Sequence, residues 1–447
     1  MIDRDRLAVL LTAERERFAV ANPRSKAAYD EATHLFGRVP MTWMNKRAGG
    51  FPLYLASARG ASVTDLDGHS YVDLCLGDTG AMAGHSPEPV IAAVQRRFAE
   101  GGITAMMPTP DAAWVGAELA RRFGLPYWSF SLTATDANRW AIRLARALTG
   151  RRRILFNSYC YHGSVDESLI VLADGRPASR AGNVGEPYDV LQTSRVVEFN
   201  DADGLERELA YGDVAAVVME PALTNIGIVL PEPGYLDAVR AITRRHDVLL
   251  VNDETHTFSA GPGGATAVWG LDPDIVTIGK AIAGGIPCGA YGLSADLAEQ
   301  ALGRSDLDLV DMGGVGGTLA GNPVSMAAAR ACLESVLTDL AFEHMIALTT
   351  RLAAALRVAI ASHQLPWSVS QLGARVEFRY ADPPPRDGTS SAAAADEELD
   401  DYLHVFAANR GVLLTPFHNM ALTCPATTES DVDTYAEVFT AALTTFR

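Results

Sequence analysis

The chain has 447 residues, 48% of them apolar and 20% charged, with a net charge of −17 at neutral pH. That length exceeds what one hydrophobic core usually holds, so two or more domains are expected. The acidic balance, with no basic tract beyond Arg151-Arg152-Arg153, excludes nucleic acid and anionic membrane surfaces as natural partners.

Five scattered cysteines with no C-x-x-C pair form neither a disulfide framework nor a zinc site, and no metal is expected. No charged-then-apolar leader opens the chain, and no apolar run reaches the roughly 18 residues of a membrane span. A soluble, cytoplasmic protein is expected.

In chain order, residues 1–40 have helical spacing and predict one or two helices ending near Pro40. Residues 52–56 and 62–66 predict strands, and Asp67-Gly68 a hairpin turn returning through 71–76, a small β-meander. A Gly-rich passage from Gly77 to Pro87 leads into a helix over 89–99. From about residue 110 to 320 strand and helix patterns alternate. Helices are predicted over 111–123, 136–148 and 235–246, and strands over 128–132, 153–156, 214–219, 248–252 and 275–278. Apolar strands separated by helices argue for a mostly parallel sheet covered on both faces. Pro323 opens a further helix with Asn322 as its cap. Beyond it come a long helix over 344–362, strand-like residues over 368–380, and short strands at 412–414 and 420–423. The Pro/Ser/Ala-rich stretch 382–395 predicts a mobile excursion. The expected domains are 1–76 (helices and meander, part of a small domain), 77–330 (large α/β domain) and 331–447 (small α+β domain).

Five features carry chemistry. The chain has only three lysines, and Lys280 alone follows an apolar strand, with Gly284-Gly285 leaving room beside it. Desolvation disfavours an ammonium, so such a lysine is a candidate nucleophile for a carbonyl; the alternative is a lysine that snorkels from a strand end. Ser131 to Asn138 reads as strand, small-residue turn and helix start, an anion site or an ordinary capped helix. Tyr161-His162-Gly163 offers an aromatic for a flat heterocycle, or for the core. Asp253-Glu254 ends an apolar strand where open α/β sheets bind ligands, with structural capping as the alternative. Gly313 to Pro323 is Gly-rich, yet follows no clear strand and lacks the later acid of a dinucleotide fingerprint, which disfavours a nicotinamide enzyme. An anion cradle, a stacking aromatic, an acid and a strand-end lysine together describe a site for pyridoxal 5′-phosphate (PLP), the lysine forming the imine and the acid keeping the ring nitrogen protonated.

These residues resemble the class III aminotransferases of PLP fold type I, in the glutamate-1-semialdehyde 2,1-aminomutase-like branch. The matching segments are Thr135-Asp-Ala-Asn138, Tyr161-His-Gly163, Asp253-Glu254, Gly279-Lys280 with Gly284 to Gly292, and Gly317-Thr318 with Gly321-Asn-Pro323. The resemblance implies a large domain with a seven-stranded-type, mostly parallel sheet, a small α+β domain from both chain ends, and a homodimer with composite sites. It implies Lys280 as Schiff-base lysine and proton shuttle, and Asp253 as partner of the pyridine nitrogen. Thr133, Ala134 and Thr135 would hold the phosphate, with Thr318 of the second subunit. Tyr161 would stack on the ring, and Glu220 lies in a motif near the cofactor. Where the family has a valine after the acid pair this chain has Thr255, followed by His256, which could reach the ring hydroxyl or the substrate, or stand behind them. Asp78, His418 and Asn419 replace other side chains of the aminomutase pocket and point away from its semialdehyde substrate. Arg47 and Arg375 are candidates for a substrate carboxylate. The expected activity is transfer of an amino group from an amino acid or amine to a keto acid. An intramolecular aminomutase, an amino-acid epimerase and a catalytically silent binding protein are the alternatives.

Overall fold

Val214–Met219, Val-Ala-Ala-Val-Val-Met, is buried at every position, as a strand covered on both faces must be. In the computed structural model, which describes residues 2–304 and 317–445, it lies near the middle of a seven-stranded sheet. The strand order is Tyr127–Ser131, Gly289–Leu293, Ile275–Ile278, Leu249–Asp253, Val214–Met219, Arg153–Asn157, Ser194–Val197. The pairs are parallel except those of Gly289–Leu293, which runs antiparallel to both neighbours. The reason is the connection: residues 279–288, with a single short turn of helix, are too few for a crossover back to the start of the sheet. The fold is thus α/β, a mostly parallel sheet with helices around it.

The helix Ala134–Thr149 shows how sequence places an element. Thr133 Oγ1 accepts from the Asp136 N–H at 3.1 Å and starts it; Gly150, at φ 67°, ends it in the left-handed conformation. Between them Ala137, Ala141, Leu144 and Ala145 recur at helical spacing and are buried. Ala141, Ile142 and Ala145 join Ile154, Phe156, Val217 and Val251 in the core of this unit.

The chain forms two compact units. The larger comprises Pro87–Phe342 with Pro385–Ala393; the smaller comprises Met1–Ser86, Glu343–Pro384 and Ala394–Arg447. The small unit has a four-stranded sheet of Leu55–Arg59, Ser62–Asp65, Ser70–Asp73 and Val412–Leu413, and a three-stranded one of Ser368–Leu372, Arg375–Arg379 and Met420–Leu422. Val412–Leu413 pairs in parallel with Ser70–Asp73, so both ends of the chain build one sheet. Leu7, Leu11 and Phe18 of the first helix share a core with Leu352, Tyr402, Phe406 and Tyr435. Among the described residues one helix, Asp339–Ser362, is long and apolar enough to cross a membrane. Its residues Leu348, Leu352, Leu356 and Ile360 lie in the small unit's core.

Two expectations are corrected. The N-terminal helices, Arg4–Ala21 and Pro23–Glu31, stop well short of Pro40, and only short 3-10 turns follow, the first containing Gly37 at φ 70°. The stretch 382–395 is not an excursion: Gly388–Ala393 is a helix, and Pro385–Ala393 belongs to the large unit. The Arg386 carbonyl accepts from Asn200 Nδ2 at 2.7 Å, and its guanidinium meets Glu232 at 3.0 and 3.1 Å. Gly388 lies against the Ser158 backbone, where no Cβ would fit. Its composition suggested disorder because a polar stretch can be satisfied by water; here its partners, Asn200 and Glu232, come from loops distant in sequence.

Candidate active site

Leu249–Asp253 and Ile275–Ile278 are adjacent parallel strands with Asp253 opposite Thr277. Carboxylate and lysine therefore emerge together from the carboxyl ends of two central strands. Asp253 is buried, and its carboxylate is held from three directions. Oδ2 accepts from Asn138 Nδ2 at 2.8 Å and lies 2.8 Å from His162 Nδ1; Oδ1 accepts from the Thr255 N–H at 3.0 Å and its hydroxyl at 2.6 Å. Burial pushes this carboxyl up, but the bonds from His162, Thr255 and Asn138 outweigh it and hold the group below the usual carboxylate range. Thr277 Oγ1 in turn donates to Asn138 Oδ1 at 2.6 Å, tying helix, acid and lysine strand together.

The second acid is different. Glu254 accepts from Thr257 Oγ1 at 2.5 Å and from the N–H groups of Ala265 and Thr266 at 3.0 and 2.5 Å, anchoring the loop and helix that follow. Burial raises its proton affinity despite these donors. The two adjacent acids are thus held in opposite ways, Asp253 toward its charged form and Glu254 toward its protonated one.

Lys280 sits at φ 51°, an unusual conformation for a side-chain-bearing residue, two residues beyond its strand. Its Nζ lies 2.9 Å from Nε2 of His256. The preceding Gly279 packs on the helix start: a Cβ there would fall 2.9 Å from both Ala134 Cβ and Ala134 N. A Cβ on Gly289 would fall 2.5 Å from the Thr133 carbonyl oxygen, and one on Gly163 would strike the Thr135 hydroxyl. Three glycines thus let three segments close around Thr133-Ala134-Thr135. The first N–H groups of a sixteen-residue helix point out of that turn beside Lys280.

Tyr161 stands 40% exposed next to the fully buried His162. Glu220 is buried just past Val214–Met219 and accepts from the Thr224 hydroxyl. Thr318 is exposed, and residues 313–316 of its Gly-rich stretch lie outside the described residues. Two site residues were passed over in the sequence. Asn138 and His162 stood inside quoted motifs without a role, although an asparagine on the inward face of an amphipathic helix was a readable signal.

The remaining candidates lie in the small unit. Arg47 and Asp78 line one cavity of about 300 Å³ with Trp43, Phe51, His404 and Phe417. Arg375 is buried, donates to the Thr79 hydroxyl, and has Nη1 4.0 Å from Asp78. His418 Nδ1 is 3.8 Å from Glu377, and Asn419 Nδ2 donates to Asp400 at 2.6 Å.

Residues 43–443 match the family Aminotransferase class-III. The chain belongs to that family. This class-III enzyme is 33% identical to the glutamate-1-semialdehyde 2,1-aminomutase of Anaeromyxobacter dehalogenans strain 2CP-1, over 87% of this chain and 89% of the relative. A crystal structure of a glutamate-1-semialdehyde-aminomutase from Pseudomonas aeruginosa PAO1 superposes with a TM-score of 0.97 at 45% identity, covering 100% of both chains. A lysine-to-alanine variant of that protein, in complex with PMP, matches equally well. An omega-transaminase from Sphaerobacter thermophilus follows at TM-score 0.85 and 28% identity, covering 94% and 97%. The class-III enzyme has PLP fold type I and uses PLP. Its residues fit that group, since a carboxylate held ionised, a helix start free of side-chain bulk and a strand-end amine converge.

Proposed function

We propose that this enzyme moves an amino group between two carbons of one small substrate, an aminomutase-type exchange. The observation that carries this reading is the full-length likeness to proteins named as glutamate-1-semialdehyde aminomutases. Transfer between two separate molecules, the reading expected from the sequence, becomes the second one; it is favoured by Asp78, His418 and Asn419, which depart from the aminomutase pattern.

In this reading Lys280 would hold the cofactor through its amine and would carry a proton between substrate carbons. The Asp253 carboxylate, kept charged by Asn138, His162 and Thr255, pairs with the protonated ring nitrogen. Thr133, Ala134 and Thr135 hold the phosphate, Tyr161 covers the ring, and Glu220 supports the site from behind. When bound, PLP supplies the electron sink that makes an α-proton removable. Arg47 and Arg375 are the candidates for a substrate carboxylate. The enzyme works as a soluble cytoplasmic homodimer, with Thr318 serving the phosphate bound by the other subunit.

The test is stoichiometric. Purified holoenzyme is given glutamate-1-semialdehyde with no keto acid and the product is counted per active site. Many turnovers are expected. Product that stops at one equivalent until a keto acid is added would overturn the aminomutase reading in favour of intermolecular transfer.

A further inference from the structure

His256 lies two residues past Glu254, after Thr255, and is 9% exposed, so the strand end that carries the acid also leads into the imidazole. Its Nε2 lies 2.9 Å from Lys280 Nζ, within hydrogen-bond distance. The register of Asp253 opposite Thr277 and the left-handed turn at Lys280 set that separation. An ammonium has donors only, so across this contact a protonated lysine requires Nε2 to be the acceptor, with the imidazole neutral and its proton on Nδ1.

A carboxylate in this place would fix the lysine as a cation. A neutral acceptor positions the amine and still lets it release its proton. The two carboxylates of the adjacent strand end are engaged elsewhere: Asp253 by Asn138, His162 and Thr255, Glu254 by Thr257 and the backbone of Ala265 and Thr266.

We propose that His256 is a positioning residue for Lys280, accepting through Nε2 a hydrogen bond from the ε-amino group whenever that group is not linked to cofactor. This rests on the reading of Lys280 as the cofactor-binding lysine. The contact keeps the released amine beside the reacting carbons, so that one nitrogen can take a proton from the first carbon and deliver it to the second. One N–H to N hydrogen bond forms and breaks, and no covalent bond changes at His256.

The chain provides its own controls, because its other two lysines, Lys26 and Lys46, are exposed. Full-length protein stripped of PLP is acylated briefly with acetic anhydride near neutral pH, and each lysine is quantified by peptide mass spectrometry. Relative to Lys26 and Lys46, His256→Leu is expected to speed labelling of Lys280 about tenfold, the size of one hydrogen bond to a charged group. His256→Gln, which returns an oxygen acceptor near Nε2, stays within about twofold of the parent. His256→Asn, one bond shorter, behaves like the leucine variant; if leucine prevents folding, the Gln and Asn pair carries the comparison. Unchanged labelling in the Leu and Asn variants, or a Gln variant no different from them, overturns the proposal while leaving the reading of Lys280 intact. Borohydride reduction of each holoenzyme locates the linked lysine independently. A link at any peptide other than that of Lys280 overturns both.

Discussion

Asp253 receives four hydrogen bonds from three residues that sequence distance separates widely, and two of the donors belong to Thr255, where the family has valine. The arrangement keeps a buried group charged, which burial alone would forbid. Asp253→Asn should retain PLP, read by its visible absorbance, yet lower kcat/KM by about 10²–10³-fold, because a neutral side chain stabilises a protonated ring poorly. A variant with nearly the parent rate would make Asp253 an anchor of the local network and nothing more. A second carboxylate behaves oppositely. Glu377 is buried between Arg375 and Arg379, and burial outweighs both guanidiniums and the Asn419 backbone N–H to push it up to about 7 from an ordinary 4.5. A carboxyl raised on folding contributes stability that is full below pH 4.5 and lost as the pH climbs to 7, roughly 3 kcal/mol in all. Glu377→Gln should remove that loss. The urea midpoint of the variant, compared with the parent, should therefore improve between pH 4.5 and pH 8, and a pH-independent difference would show that folding does not raise the Glu377 carboxyl.

At the scale of elements, the site is a convergence of strand ends and one helix start. The helix Ala134–Thr149 is specified locally by a threonine cap, an apolar stripe and a terminal glycine. The proposed anion cradle requires other segments to approach it closely, and glycines set that distance. Gly289→Ala would thrust a methyl group to 2.5 Å from the Thr133 carbonyl oxygen and 2.6 Å from its carbon, backbone atoms that cannot retreat independently. The expected cost is about 1–3 kcal/mol, seen as a lower Tm, together with a weaker Kd for PLP. Loss of stability without loss of PLP affinity would separate this strand from the cradle. The same lesson holds for Pro385–Ala393, where contacts with Asn200, Glu232 and Glu198 order a stretch whose composition reads as linker.

At the scale of the whole molecule, a large α/β unit of nearly continuous sequence carries Lys280, Asp253 and the helix start, while the small unit gathers both chain ends. The arginine and histidine candidates for substrate recognition, Arg47, Arg375 and His418, fall in the small unit. Assembly adds a third level. The protein should sediment as a homodimer, and Thr318→Ala should weaken PLP retention without changing the visible spectrum of the bound fraction. A monomer that keeps PLP and turns over at nanomolar concentration would defeat the composite-site proposal.

By itself the sequence determined many of the elements and their order, but not the strands Ser194–Val197 and Gly289–Leu293 or the helices Glu397–Ala408 and Glu429–Thr445. Val214–Met219 and Ile275–Ile278 were legible to the residue because a strand buried on both faces must be continuously apolar, and the Asn322-Pro323 helix start because its cap and first position are local chemistry. Lys280 and Asp253 stood out as candidates for a related reason, a charged residue at the end of such a strand, with snorkelling and structural capping as their alternatives. Tertiary structure alone decided which side chains meet them. Nothing in the spacing of Asn138, His162 and Asp253 announces a shared carboxylate, and nothing in the separation of His256 and Lys280 announces 2.9 Å. Strand pairing sets those distances, and pairing between remote segments is fixed by the packing of the whole sheet, which no local pattern encodes.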